Sequence, residues 1–186
     1  MKPTRSLSAL GAAVALLLLF PGCPAQGVGD PCTPEDEYSP TFSGFAISEV
    51  NTESRSFQCQ SRLCLVNHFQ GRVSCPYGQT AADVTGAARC PLPGGDEPVA
   101  VDVPPQLVER RTDQAVYCSC RCAGPDANAR YCECPDGFSC SKVVPELALG
   151  KAQLPGSYCI RAGSDYASAR ISTTRVCDRD AGNCAD

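Results

Sequence analysis

The stretch Tyr117-Cys118-Ser119-Cys120-Arg121-Cys122, followed after a spacer by Tyr131-Cys132-Glu133-Cys134, decides how this chain is read. Alternate residues of a strand share a face. Cys118, Cys120 and Cys122 therefore line one side of a strand, and Cys132 and Cys134 one side of a second. The spacer, Ala123-Gly124-Pro125-Asp126-Ala127-Asn128-Ala129-Arg130, is rich in turn residues, so the simplest reading is a hairpin. Neighbouring Cys on one strand face lie ~6.5–7 Å apart with parallel Cβ vectors, poorly placed to bond to each other. Each is expected to reach another element, making the hairpin the staple of the second half. Tyr precedes Cys at Tyr117, Tyr131 and Tyr158, and its ring takes the face opposite the sulfur.

Outward from this stretch, the 186 residues include 15 Cys, 16 Gly, 16 Pro and no Trp. Fourteen Cys follow Cys23, an even number that suits disulfides in an oxidising compartment. Five of them (Cys32, Cys59, Cys64, Cys75, Cys90) precede a Cys-free stretch at 91–117, and nine follow it. Both counts are odd, so full oxidation within one molecule needs at least one bond between the halves. Cys177 and Cys184 enclose a polar turn and are expected to pair, as are Cys32 with Cys64 and Cys59 with Cys75. The partners of Cys90, Cys118, Cys120, Cys122, Cys132, Cys134, Cys140 and Cys159 stay open, because connectivity is not written in spacing. A thiolate metal cluster is the chemical rival. Zinc sites usually carry Cys-x2-Cys, however, and this chain has none, which also weakens a redox-motif reading.

The expected fold is small, disulfide-rich and mainly β, with short strands, long loops and little helix. It forms one covalently tied unit of two subregions, residues 32–90 and 118–186, around a Pro-rich, acidic connector at 91–117. Strands are expected within 42–50, 62–66, 72–75 and 99–103. Short helical turns are expected within 80–88 and 145–149, and exposed loops at 94–98 and 104–105.

Residues 1–22 read as a signal peptide. Lys2 and Arg5 precede an apolar run at 7–20, whose ~21 Å helical length falls short of the ~30 Å hydrocarbon core. Leu19-Phe20-Pro21-Gly22-Cys23 resembles a bacterial lipobox in Gly22 and Cys23 and departs from it at Phe20 and Pro21. Two cuts fit. One leaves Cys23 lipidated (with palmitate among its chains) at the head of a 23–31 tether; the other falls after Ala25 and discards Cys23. Lipidation is the favoured expectation, giving an outer-membrane or cell-surface protein, with periplasmic or secreted protein as the alternative. Pro24 stands where an Asp would resemble an inner-membrane retention signal.

The formal net charge is −4, and without Lys2 and Arg5 it is −6. Nucleic acid is therefore not an expected partner, since phosphate contacts need clustered positive charge. No Gly-x-Ser-x-Gly, phosphate loop, dinucleotide fingerprint or His-Glu-x-x-His occurs. His68 is the single imidazole and is expected in a solvated turn. Asp178, Asp180 and Asn183 offer oxygen atoms in one loop but lack the Gly and distal Glu of an EF-hand. Glu109-Arg110-Arg111 reads as an exposed charge run. No catalytic residue, metal or cofactor is expected, and the chain is not expected to be an enzyme.

Two resemblances complete the reading. Cys132-Glu-Cys134-Pro-Asp-Gly137-Phe138-Ser-Cys140 looks like the end of an epidermal-growth-factor-like module, although only Ser139 separates Phe138 from the next Cys, so convergence explains it. Over 29–162, Gly29-Asp30-Pro31-Cys32, Cys59-Gln-Ser-Arg-Leu-Cys64-Leu, Val73-Ser-Cys75 and Val116-Tyr-Cys-Ser-Cys-Arg-Cys122 resemble the Cys-rich lipoproteins of myxobacteria and related gliding bacteria. That resemblance implies an envelope location and an extracellular disulfide fold, and brings no active site. The expected function is thus a lipid-anchored envelope protein with a structural or protein-interaction role, held to the membrane by its N-terminal lipid and meeting an envelope or extracellular protein. The alternatives are a soluble secreted binding module or protease inhibitor presenting a loop such as 103–111, and an enzyme with an unidentified carboxylate site.

Overall fold

The computed structural model describes residues 27–86, 89–144, 155–166 and 174–184. The signal peptide, Cys23, most of the tether before Gly27 and the helical turn expected at 145–149 lie outside the described residues. Among the described residues, six short strands form two antiparallel sheets. The first has the order β1-β2-β3, with β1 at Val50–Glu53, β2 at Cys64–Asn67 and β3 at Val116–Cys118. The second has the order β4-β6-β5, with β4 at Arg121–Ala123, β5 at Phe138–Val144 and β6 at Gly156–Arg161. Among the described residues, helix is confined to a 3-10 turn at Glu35–Tyr38 and one α turn, α1, at Thr112–Ala115. The protein is a small, disulfide-rich, mainly β molecule.

Period-two alternation places the core. β2 is buried along its whole length. Cys64 and Val66 join Val116, Cys118, Phe45 and Phe69 on one face, while Leu65 and Tyr117 meet Tyr158 and Ile160 of the second sheet on the other. The Tyr before each Cys of β3 and β6 thus fills the space between the sheets. Tyr117 Oη also accepts a hydrogen bond from the Arg161 N–H at 3.0 Å, which satisfies its polar end. A third cluster holds Cys75, Cys90, Val99 and Val103.

Seven disulfides join the described residues: 32–64, 59–118, 75–90, 120–132, 122–140, 134–159 and 177–184. Cys59 bonds to Cys118, not to Cys75 as expected, and Cys75 bonds to Cys90. The reason is register: Cys64 lies directly opposite Cys118 in the β2–β3 ladder. Directly opposed Cβ atoms sit ~4.5–5.5 Å apart, wider than most disulfides accept. Each of the two therefore takes a partner from a loop, Cys32 and Cys59 respectively. Cys140 and Cys159 are likewise opposed across β5–β6 without bonding; Cys159 bonds to Cys134 in a loop, and Cys140 to Cys122 on β4, the strand on the other side of β6. The Cys59–Cys118 bond is the covalent link between the halves that counting requires.

The expected 118–134 hairpin does not form. Residues 116–123 split between the two sheets, and residues 131–135 lie in no strand. Cys132 is drawn to Cys120 and Cys134 to Cys159, while the Asp126 turn closes on itself through the Asn128 N–H and the Tyr131 hydroxyl. The strand expected at 72–75 is a tight turn, because the Glu37 carboxylate accepts the Val73 and Ser74 N–H groups that a ladder would use. Within 42–50 only Phe45 makes a bridge, to Gly71, before β1 begins; Glu49 turns the chain by accepting from the Ala46 N–H. Within 99–103 only Val103 makes a bridge, to Gln79. No helix forms in the described part of 80–88, where Asp83 accepts from the Thr80 N–H and hydroxyl in an isolated turn.

The Cys-free stretch 91–117 is exposed at 94–97 and enters the interior beyond them. Val99, Leu107 and Arg110 are fully buried. A Cβ on Gly71 would stand 2.4 Å from the Pro104 carbonyl oxygen and one on Gly78 2.4 Å from that of Val103, and both glycines have positive φ. Only glycine allows so close an approach there. The Gln79 side chain donates to the Val99 and Val101 carbonyls and accepts from the Cys90 N–H. Arg110, expected in an exposed run, donates instead to the carbonyls of Asn67, His68 and Ser164. Glu37 and Arg72 form a reciprocal clasp. The Glu37 carboxylate holds residues 73–74, and the Arg72 guanidinium holds the Glu37, Ser39 and Phe42 carbonyls. Burial pushes the Glu37 carboxyl above its ordinary value, partly offset by those N–H donors, the Ser74 hydroxyl and Arg72.

Two outcomes follow. Full reduction is expected to unfold the protein, since bridges worth ~2–4 kcal/mol each compensate for the small core; a native far-ultraviolet circular dichroism spectrum in strong reductant contradicts this. Because the Glu37 carboxyl titrates higher in the folded than in the unfolded chain, its contribution is most favourable below the unfolded value and declines as pH rises through the folded one. Glu37→Gln is expected to remove that decline. It also costs about 1–3 kcal/mol by turning an amide donor toward backbone N–H groups, as urea melts across pH 4–8 would show.

Candidate functional site

The clearest candidate is a groove of ≈ 560 Å³ between the 3-10 turn and the β1–β2 loop, lined by Glu35, Tyr38, Glu53, Arg55, Phe57 and Arg62 among others. Phe57 is 85% and Tyr38 51% exposed. Leaving a Phe in water forgoes roughly 1.5–3 kcal/mol of burial, so its position calls for a reason.

The loop carrying Phe57 is fixed at nearly every step. The Ser56 N–H donates to the Arg62 carbonyl at 3.1 Å and the Arg62 N–H to the Cys59 carbonyl at 2.9 Å. The Gln58 amide both accepts from the Thr33 N–H, at 3.0 Å, and donates to the Thr33 carbonyl, at 2.7 Å. The Cys59–Cys118 bond anchors the loop to β3. Arg62 adopts φ 63°, a left-handed conformation unusual for a residue with a side chain. Its guanidinium carbon lies 4.4 Å from the Phe57 ring centroid. One face of the ring is thereby covered by a cation.

Across the groove, Glu53 Oε2 accepts from the Glu35 N–H at 3.1 Å. Burial pushes the Glu53 carboxyl up from its ordinary value. The Glu35 and Asp36 carboxylates push the same way, against the lowering effect of that hydrogen bond. Two carboxylates and two guanidiniums thus line the groove together with two aromatic rings.

A second hollow, ≈ 680 Å³, is lined by Gly29, Ser74, Gln106, Arg111 and Arg161 among others. Its polar groups are largely engaged. Arg161 donates to the Gly29 carbonyl and lies over the Phe138 and Tyr117 rings, at 5.1 and 5.6 Å, and Arg111 lies 3.7 Å from Asp113. No exposed ring faces it.

The residues singled out from sequence fall mostly elsewhere. Cys120, Cys132 and Cys159 bring sulfurs within 3.6–3.7 Å across different bonds, and two further trios, Cys32/Cys59/Cys118 and Cys122/Cys134/Cys140, are as compact. Every sulfur in these trios is already bonded to another Cys, so none is a thiolate able to ligate metal. His68 is no solvated turn residue: it is half-buried, its Nδ1 is 2.9 Å from the Ile47 carbonyl oxygen, and its ring stacks on Tyr166 at 4.0 Å. In the Cys177–Cys184 loop, Asp178 Oδ1 accepts the Asp180 and Ala181 N–H groups, and Asn183 Oδ1 accepts that of Asp178. The stretch 103–111 does not present an inhibitory loop, because Val103, Gln106, Leu107 and Arg110 are buried. Sequence reasoning missed the groove. Its members are spread from Glu35 to Arg62 and share no spacing; the polar, turn-prone context of Phe57 in Arg55-Ser56-Phe57-Gln58 was the available sign.

Comparison with protein-family models, curated proteins and solved structures finds no match.

The left-handed backbone at Arg62 gives a direct test of how firmly the loop is imposed. Arg62→Gly is expected to be more stable than Arg62→Ala by about 1 kcal/mol, since both lose the Phe57 contact and only Ala keeps the strain. Thermal melts of the two variants decide it.

Proposed function

We propose that this chain is a lipid-anchored, non-enzymatic protein of the cell envelope whose stapled β body presents a rigid groove to a partner outside the cytoplasm. One observation carries the reading: all fourteen Cys of the described residues are bonded to one another, which leaves Cys23 without a thiol to pair. Such disulfide content belongs to an oxidising, extracytoplasmic compartment. No helix of the described residues is long and apolar enough to cross a membrane.

Other features support the anchor. An apolar run ending in Gly22-Cys23 precedes the body. The chain is already held at Gly29, whose N–H donates to the Cys118 carbonyl at 2.8 Å, while the Cys118 N–H donates to the Asp30 carbonyl at 2.8 Å. From Cys23 to Gly27 is four residues, at most ~14 Å, so a lipid on Cys23 holds the body close to the leaflet. The likeness to the Cys-rich lipoproteins of gliding bacteria supports an outer-membrane or cell-surface location. The non-enzymatic part of the reading is supported by His68 Nδ1 and the Arg110 guanidinium, which lie against backbone carbonyls.

Metabolic labelling with radioactive palmitate is expected to mark the wild-type chain and to leave Cys23→Ala unlabelled, with mass spectrometry placing an acylated Cys23 at the mature N-terminus. A mature chain that begins, unacylated, at Gln26 rejects the anchor.

A further inference from the structure

We propose that the Phe57–Tyr38 groove binds a neutral glycan, a β-linked chain of hexose or N-acetylhexosamine rings. The rings stack on Phe57 and Tyr38, and Glu35, Glu53, Arg55 and Arg62 take the hydroxyl groups. The proposal deepens the interaction role given above and is independent of the lipid on Cys23.

Three properties of the groove select this ligand. The first is the exposed ring. Phe57 stands 85% exposed on a loop held by a disulfide and backbone bonds, with Arg62 over one face and the other open. A pyranose with equatorial substituents presents a flat C–H face of weakly positive character, which suits the negative face of an aromatic ring. The ring needs little ordering on binding, because the fold has already fixed its loop.

The second is charge. Carboxylates and guanidiniums stand in equal number among the charged lining residues, Glu35, Glu53, Arg55 and Arg62. A polyol meets both, since each hydroxyl donates to a carboxylate and accepts from a guanidinium. An anionic lipid, nucleic acid or acidic polysaccharide would bring negative charge against Glu35 and Glu53. Glu53 already sits where burial and its acidic neighbours disfavour ionisation.

The third is what the lining lacks. Besides those six residues it holds Thr33 and Gln58, and no Leu, Ile, Val or Met. A stable protein interface buries ≈ 800 Å² per partner around an apolar core. This groove offers two rings and otherwise hydrogen-bonding groups. Its ≈ 560 Å³ lies in the range of small-ligand sites.

The test titrates the full mature chain, in a detergent without a sugar headgroup, with cellotetraose, chitotetraose and an anionic tetragalacturonate, by calorimetry. At least one neutral tetrasaccharide is expected to bind saturably. Phe57→Ala is expected to weaken it at least tenfold and Tyr38→Ala at least threefold, with unchanged circular dichroism because both rings are exposed. The proposal is overturned if neither neutral sugar binds at millimolar concentration, if binding ignores Phe57→Ala, or if the anionic sugar binds more tightly. Palmitate labelling reports on Cys23 alone, so failure of either result leaves the other standing.

Discussion

Two pairs of cysteines that face each other across a ladder without bonding organise this molecule. Cys64 opposes Cys118 and Cys140 opposes Cys159. The spacing between directly opposed residues favours bonds to third segments. The first ladder therefore seizes two loop segments, at residues 32 and 59; in the second, Cys140 bonds to Cys122 on the sheet's own β4 and Cys159 seizes the loop at residue 134. Strands of three to seven residues make each sheet small. Here the loops they capture become part of the same covalent object, and the exposed ring of Phe57 inherits its rigidity from Cys59.

Where cysteine is missing, buried polar side chains take over. Glu37 and Arg72 exchange backbone partners between residues 37–42 and 73–74, Gln79 ties 90 to 99 and 101, and Arg110 closes the end of β2 onto residue 164. These groups are costly to bury and are accepted because each meets several backbone groups that would otherwise go unpaired. Aliphatic side chains would fill the same volume without satisfying those carbonyls and N–H groups.

How much of this was legible in the sequence follows from what short-range pattern can carry. The class was plain, because fourteen Cys, frequent Gly and Pro and no Trp leave few other ways to stabilise a chain of this length. The split of five and nine called for one bond between the halves, and Cys59–Cys118 is that bond. Alternation in Tyr117-Cys118 and Tyr158-Cys159 told which way the rings face, since period two is local. The hairpin was misjudged because strand pairing depends on registers set forty residues away, at Cys159. The turn at 72–75 was missed for a like reason, as its N–H groups are claimed by Glu37. Nothing local marks Arg110 as interior or gathers Glu35, Tyr38 and Phe57 around one hollow.

The attachment of residues 29–30 to β3 bears on how the molecule answers a mechanical pull at its N-terminal end. Tension entering at Gly27 reaches two backbone hydrogen bonds at Cys118 first, and then Cys32. There it crosses sulfur to Cys64 and bypasses the thirty-one residues between, which cannot pay out as slack. Stretching can therefore peel away only a few residues before it meets covalent resistance in the central strand, and the segment bearing Phe57 stays shielded from extension.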